Sequence, residues 1–158
     1  MTLKKTEKIF GVGLKGAIIS LASLLIIVYV DQAVIKTSIA DHSLFMKIAG
    51  SIFVVIGFVL HFWTVWTLRN WWVKNQLCML GPFKYLRHPM YAAWISPISL
   101  GLAFYLNSWL CIFWTMLLHP FWHWLVIKEE KMMLEIFKDE YNEYAKRTGR
   151  FLPRIWHQ

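Results

Sequence analysis

Four long apolar stretches separated by shorter polar ones dominate the pattern of hydrophobic and polar positions along the chain. Their approximate limits are residues 9–30, 48–68, 91–106 and 109–127. About 20 helical residues cross the hydrocarbon core of a bilayer, so each stretch predicts a transmembrane helix. Pro97 predicts a kink in the third stretch, because proline removes a helical hydrogen bond.

The pattern changes at Lys128, where charged residues begin to alternate with apolar ones. The apolar positions that recur at helical spacing are Met132, Met133, Ile136, Phe137, Tyr141 and Tyr144. This periodicity predicts an amphipathic helix that ends near Arg147. The expected fold is therefore all-α: a polytopic membrane protein of about four transmembrane helices plus a C-terminal cytoplasmic amphipathic helix. Residues 1–68 form a two-span N-terminal region in this interpretation, and residues 69–158 form the core.

Composition strengthens the membrane interpretation. Hydrophobic residues make up 58% of the 158 positions and charged residues only 16%, against about 45–50% and about 25% in soluble domains. So much apolar mass excludes a disordered chain, and so few polar residues argue against a water-soluble domain. The net charge of +8 does not indicate nucleic-acid binding, because no zinc-finger spacing or basic helical face accompanies it.

The distribution of the basic residues predicts the topology. Positive charge flanks the first stretch at Lys4, Lys5 and Lys8 and fills the loop between the second and third stretches at Arg69, Lys74, Lys84 and Arg87. Basic loops face the cytoplasm, so both termini and this loop are expected there. The predicted location is a bacterial or archaeal cell membrane, or the endoplasmic reticulum of a eukaryote.

A group of chemically capable residues lies where the chain re-enters the membrane at the third stretch. Pro89 suits the first turn of a helix, and the free N–H groups of that turn favour an anionic group. Arg87 and His88 stand directly before it as cationic donors. The segment therefore predicts a site for a ligand carboxylate or phosphate. The alternative is a basic loop that holds lipid headgroups.

Two consecutive acids, Glu129 and Glu130, follow the fourth stretch directly. Acids at a membrane boundary are costly unless they are solvated or paired. The third helix enters from the side to which the fourth returns, so the acids are expected at the level of His88 and Tyr91. Such a carboxylate can bind a ribose hydroxyl or an ammonium, or orient a nucleophile. The alternative is the ordinary start of a solvated helix.

Other polar residues in the apolar stretches give weaker indications. His119 and His123 have the i, i+4 spacing of metal ligands, but no cysteine cluster joins them and carboxylates are a turn or more away. We expect no metal site. Cys78 and Cys111 are unpaired in spacing and are interpreted as structural thiols.

Taken together, these residues resemble the isoprenylcysteine carboxyl methyltransferase family, to which phospholipid methyltransferases are related. The resemblance rests on Gly81-Pro82-Phe83, Arg87-His88-Pro89-Met90-Tyr91, Glu129-Glu130 and Arg150-Phe151-Leu152-Pro153, in that order and spacing. It covers roughly residues 70–155. It implies an integral membrane enzyme that uses S-adenosylmethionine to methylate a lipophilic or small acceptor, with membrane lipids around it.

The resemblance also implies which residues meet the cofactor. They are Leu77, Cys78, Gly81, Phe83, His88, Pro89, Met90, Tyr91, Glu129 and Glu130. The candidate catalytic residues are Glu129, which orients cofactor or acceptor, and Arg87, which orders the loop. S-adenosylmethionine carries a carboxylate, an ammonium and ribose hydroxyls, so cationic donors and a carboxylate in one site suit it.

Several positions depart from the family pattern. Met79 stands where Thr is frequent, Phe83 replaces a Tyr, Ala93 replaces a Gly, and Lys138 stands where a Gly is usual. Carboxyl-methylating members carry an Arg four residues before the first acid, and this chain has Leu125 there. That change favours a thiol or amine acceptor over a prenylcysteine carboxylate.

Two other functions fit parts of the pattern. Membrane sterol-type reductases share some of this architecture and use NADPH, although the short chain and the Arg-His-Pro-Met-Tyr element do not favour them. A non-catalytic four-span protein that binds lipids or interacts with a partner is the second alternative, and the departures at Met79, Phe83 and Leu125 support it.

Overall fold

The computed structural model describes residues 12–40, 43–71 and 76–154. These residues are helical, with no strand longer than a single bridge, which confirms the predicted all-α class. The helices are α1 (Gly13–Val30), α2 (Ser43–Trp71), α3 (Pro89–Ala93), α4 (Ser99–Tyr105), α5 (Trp109–Leu125) and α6 (Ile127–Arg147). Lys4, Lys5, Lys8 and Lys74, on which the predicted topology partly rests, lie outside the described residues.

Three helical segments are long and apolar enough to cross a membrane: Gly13–Ile35, Leu44–Trp71 and Trp109–Arg147. The apolar part of the last is α5, because four charged residues in a row open α6. The third predicted span is helical from Pro89 to Tyr105, about 25 Å at 1.5 Å per residue. A π-helical stretch over Trp94–Ile98 interrupts it, and Pro97 within that stretch has no N–H to continue the regular pattern.

The α3–α4 segment is the most enclosed part of the bundle. Its small and branched residues Ala92, Ala93, Ile95, Ile98 and Ala103 are almost fully buried. Helix α2 lies against it so closely that a Cβ added at Gly50 would stand 2.5 Å from the Gly101 carbonyl oxygen. Only glycine allows this approach, so the two backbones pack in direct contact.

Helix α1 packs against α5 through small residues. A side chain at Gly16 would collide with Leu125 and Trp122. The indole N–H of Trp122 donates to the Ser20 hydroxyl at 3.1 Å, and a similar bond of 2.9 Å joins Trp114 to Ser23. Buried indoles require such acceptors, so these two tryptophans fasten α1 to the bundle.

At one end of the bundle, polar contacts join the segment that follows α1 to the turn between α4 and α5. Asp31 is fully buried and accepts hydrogen bonds from the backbone N–H of Thr37 at 3.0 Å and from its hydroxyl at 2.5 Å. The Asn107 amide donates to the Ala40 carbonyl at 2.8 Å and accepts from the Ala40 N–H at 3.1 Å. The Asp31 bonds hold the segment after α1 together, and the Asn107 bonds fix it onto the turn before α5.

Candidate functional site

The loop before α3 and the tail after α6 meet through their backbones. The Arg87 N–H donates to the Gly149 carbonyl at 2.8 Å, and the His88 N–H donates to the Arg150 carbonyl at 3.1 Å. In return, the Gly149 N–H donates to the Tyr85 carbonyl at 3.1 Å. This short parallel pairing joins two segments that lie about sixty residues apart in sequence.

Glu130, in the first turn of α6, is held by two arginines. The Arg87 Nε donates to its Oε1 at 2.8 Å, the Arg150 Nε donates to the same oxygen at 3.0 Å, and the Arg150 Nη2 donates to Oε2. Burial alone would raise the pKa of Glu130, but His88 and the two arginines outweigh burial and hold the pKa well below its usual range. The carboxylate therefore stays ionised.

Besides its contact with Glu130, Arg87 binds backbone carbonyls at the C-terminal end of α6. Its Nη1 donates to the backbone carbonyls of Ala145 at 2.9 Å and Thr148 at 2.5 Å. These carbonyls belong to the last turn of α6, where unpaired acceptors collect and a cation is favoured. Arg87 thus ties the loop to both ends of α6.

Glu129 lies beside this pair but has neutral partners. The Tyr91 hydroxyl donates to its Oε1 at 3.0 Å, and the backbone N–H of Val12, at the start of α1, donates to the same oxygen at 2.9 Å. Its other oxygen, Oε2, is 3.6 Å from the Nδ1 of His88. The Glu129 side chain is 15% exposed, so it is a largely buried acid with acceptor capacity left on Oε2.

The His88 ring lies between the two carboxylates. Its Nε2 is 3.4 Å from the Oε1 of Glu130 but is not aligned for a hydrogen bond, and this buried atom has no hydrogen-bond partner among the described residues. The ring stacks on Tyr91 with centroids 5.6 Å apart and planes inclined by 9°. Phe151 closes the other side at 5.9 Å. A buried nitrogen without a partner is rare in folded proteins and marks a place for a ligand or a water.

The predicted cofactor residues from the loop form a second group, against the later part of α6. Leu77 is buried against Tyr141 and Tyr144. The Tyr144 hydroxyl donates to the Phe83 carbonyl at 2.8 Å. Cys78 is half-buried, and burial raises the pKa of its thiol, which keeps it protonated.

Gly81 has a backbone reason to be glycine. It takes a φ of 56°, in the left-handed region, and a Cβ there would lie 2.7 Å from the Thr67 hydroxyl. The structure therefore divides the predicted cofactor residues into two neighbouring sets. One contains His88, Tyr91, Glu129 and Glu130, with Pro89 and Met90 opening α3 beneath them; the other contains Leu77, Cys78, Gly81 and Phe83.

Three participants were not among the predicted site residues: Arg150, Val12 and His123. Arg150 bridges Glu130 and His123, with its Nη1 3.0 Å from the His123 Nδ1. His119 pairs differently, at 3.4 Å from the Ser96 hydroxyl, so the two histidines serve separate polar contacts. Arg150 carried a sequence signal, because it stands in the tail motif shared with the family, whereas nothing in the sequence pointed to Val12.

The geometry defines a helical protein with helices long and apolar enough to cross a membrane, and with a charged cluster where the third apolar segment and the fourth meet the loop and tail. Residues 45–140 match the profile of the family described as phospholipid methyltransferase. This is well over half of the chain, and the chain belongs to that family of integral membrane methyltransferases, related to the isoprenylcysteine carboxyl methyltransferases. The predicted family relationship is thereby confirmed. No curated protein and no solved structure matches the chain.

Proposed function

We propose that the protein is an integral membrane methyltransferase that uses S-adenosylmethionine to methylate an amine or thiol acceptor, lipophilic or small. The observation that carries the proposal is the meeting of Glu129, Tyr91 and His88 at one point, within the region that matches the methyltransferase family. An acid, a phenol and an imidazole, all largely buried, give one site both acceptors and donors.

The chemistry of these side chains fits the proposed cofactor. Glu129 has a free lone pair on Oε2 for an ammonium or a ribose hydroxyl, and the unpartnered Nε2 of His88 is able to meet a polar group. We propose that these two side chains hold the cofactor, with Pro89, Met90 and Tyr91 around them. Leu77, Cys78, Gly81 and Phe83 are proposed to complete the binding surface.

The protein's main contribution to the reaction is orientation. S-adenosylmethionine, when bound, supplies a sulfonium methyl group for direct transfer. Tyr91 fixes the Glu129 carboxylate, and Arg87 fixes the loop that carries His88. Orientation of two reactants is worth up to about 7–11 kcal/mol of activation free energy in favourable cases. The aromatic rings of Trp122, Tyr91 and Phe151 pack around the site and limit its contact with water.

The surroundings of Leu125 support an amine or thiol over a carboxylate acceptor. Leu125 packs against Gly16 of α1, so an apolar contact stands where carboxyl-methylating relatives carry an arginine. The cations of the described site, Arg87 and Arg150, are engaged by Glu130. A carboxylate acceptor would therefore compete with an existing ion pair, whereas an amine or a thiol would not.

We also propose that the Pro89–Tyr105 segment crosses the membrane as the fourth span. It lies in the chain between Leu44–Trp71 and Trp109–Arg147, which are both long and apolar enough to cross, and it carries much of the buried core. Both termini and the site then face the cytoplasm. Residues 1–68 supply two flanking spans, and residues 69–158 supply the methyltransferase core.

Binding and turnover of the full chain in detergent test the proposal. Calorimetry with S-adenosylmethionine is expected to show saturable binding, and NADPH is expected to show none. A correctly folded sample that binds no methyl donor would refute the proposed function, and binding of NADPH instead would favour a reductase.

The acceptor is identified by transfer of a labelled methyl group. The candidates are thiols, prenylcysteine analogues and phospholipid amines in vesicles. Incorporation into amines or thiols is expected, and preferential labelling of prenylcysteine would contradict the proposed acceptor class. Binding of the methyl donor without transfer to any of the three would support a non-catalytic role.

A further inference from the structure

We infer that Glu130 and Arg150 are positioning residues for His88, and that Glu129 is the one of the two adjacent acids that meets the ligand. The inference rests on the proposed function, because it assigns separate roles within that site. It adds Arg150, which lies beyond the residues that match the family profile, to the machinery.

Glu130 has little capacity left for a ligand. Both of its oxygens accept hydrogen bonds from guanidinium groups, and Oε1 accepts two. Arg87 and Arg150 would lose a buried partner if a ligand displaced them, and removing one partner of a buried ion pair is strongly unfavourable. Glu129, by contrast, shares one oxygen with two neutral donors and leaves the other nearly free.

The tail reaches His88 by three independent routes. The Arg150 carbonyl accepts a hydrogen bond from the His88 N–H, and the Phe151 ring packs on the His88 imidazole. The Arg150 guanidinium holds the Glu130 carboxylate, which lies 3.4 Å from the His88 Nε2. Arg150 is fixed in turn by the His123 ring on α5. The guanidinium thus joins Glu130 on α6 to His123 on α5, while the Arg150 backbone carbonyl holds the loop at His88.

The same arrangement explains why the His88 Nε2 remains without a hydrogen bond. Two guanidinium groups occupy the lone pairs of the Glu130 Oε1 that faces the ring. The Glu130 carboxylate therefore lies beside the His88 ring and holds it in place, but it makes no hydrogen bond to the Nε2 atom of the ring. The ring is held in position with Nε2 still able to bind a ligand.

A residue that acts through His88 loses its effect when His88 is absent. We would measure the affinity for S-adenosylmethionine of Glu130→Gln, Arg150→Lys and Glu129→Gln, each in the natural background and with His88→Ala. Glu130→Gln and Arg150→Lys are expected to weaken binding about three- to tenfold in the natural background and to add nothing to His88→Ala. Glu129→Gln is expected to weaken binding about tenfold or more in both backgrounds.

Glu143→Gln is the matched control, because Glu143 lies on the same helix in an exposed pair with Lys146. It is expected to leave affinity unchanged. If Glu130→Gln weakens binding equally with and without His88, then Glu130 meets the ligand directly and the inference is overturned. Arg150→Lys keeps the charge, so it provides the same test if Glu130→Gln does not fold.

A second measurement separates this inference from the proposed function. The imidazole resonance of His88 in histidine-labelled protein, without any cofactor, is expected to shift in Arg150→Lys and Glu130→Gln and to stay unchanged in Glu143→Gln. A shifted resonance in a protein that binds no S-adenosylmethionine would refute the proposed function and leave the positioning intact. An unshifted resonance, with cofactor binding retained, would refute the positioning.

Discussion

The two ends of the helical bundle each hold acidic side chains with little solvent exposure, but the partners of these acids differ. At the turn end, formed by Asp31, Thr37, Asn107 and Ser108, the acid is fully buried and its described partners are neutral N–H and O–H groups. At the site end, formed by Arg87, His88, Glu129, Glu130 and Arg150, one acid is paired with two arginines and the other lies near a histidine.

This difference distinguishes a polar cluster that stabilises the fold from a candidate ligand-binding site. At the turn end, the Asp31–Thr37 bonds hold the segment after α1 together and the Asn107 bonds fix it to the turn before α5, and a satisfied polar cluster of this kind rigidifies a structure. The site end keeps capacity that the protein itself does not use: a nitrogen of His88 without a partner and an oxygen of Glu129 with only a distant one. Unused polar capacity in a buried place requires an explanation, and ligand binding is the one we propose.

The largest effect is expected at the turn end. Asp31→Ala leaves the N–H and hydroxyl of Thr37 without their acceptor, and we expect it to lower the free energy of unfolding by about 3 kcal/mol. Reversible unfolding in detergent measures this loss, and affinity for S-adenosylmethionine should not change. Asp139→Ala, at an exposed position of α6, is the control and should have little effect. A loss of cofactor affinity without loss of stability would show that the two ends do not have separate roles.

The corresponding substitution at the site end is expected to change ligand affinity more than stability. Glu129→Ala removes a charged acceptor proposed to meet the ligand, and we expect an affinity loss of about 2 kcal/mol, roughly thirtyfold. Its effect on unfolding should be smaller than that of Asp31→Ala, since the Glu129 side chain is partly exposed. Calorimetry and unfolding of the same preparation give both numbers. Unchanged affinity would remove Glu129 from the site.

A third substitution tests strain in α6. Lys138 takes a φ of 47° and a ψ of −120° inside this helix, at the position where the related family usually has glycine. Glycine adopts such angles without a Cβ penalty, so Lys138→Gly is expected to raise the free energy of unfolding by about 1 kcal/mol. Lys131→Gly, in a regular turn of the same helix, should lower it by about 1 kcal/mol. Destabilisation by both changes would contradict a strained kink.

The smallest effect concerns pH. Since the folded-state pKa of Glu130 lies well below its ordinary value, its contribution to stability is complete above the unfolded-state pKa of about 4.3 and declines only in stronger acid. The stability difference between the natural protein and Glu130→Gln should therefore stay constant from about pH 5 to 8 and shrink below about pH 4. Unfolding at several pH values measures it. A difference that changes between pH 6 and 8 would mean that another group, not this carboxylate, is being followed.

Much of the fold was readable from the sequence because it follows from local physics. The apolar stretches predicted helices, and three of them are long and apolar enough to span. Adjacency of His88, Tyr91 and Glu129 also followed, since helices that enter and leave on one side bring their ends to one level. The amphipathic character of α6 and the fourth span remain predictions.

Contacts that depend on the path of irregular segments were not readable. The tail after α6 turns back so that Arg150 meets Glu130 twenty residues earlier, and the start of α1 places the Val12 N–H on Glu129. The same docking of loop on helix separates Leu77 and Phe83 from the acid pair. The hydrophobic periodicity of the sequence contains no information about where an irregular segment folds back onto a helix.

The sequence by itself determined the class of protein, the helical segments and the acids and bases available to the site. The tertiary structure decided their partners: which acid is neutralised by arginine, which one stays available, and which nitrogen has no hydrogen bond. The physical reason is the separation along the chain of the residues that interact. Helix formation and membrane insertion depend on residues within a few turns of each other, whereas the pairing of buried charges depends on which distant segments share one low-dielectric space.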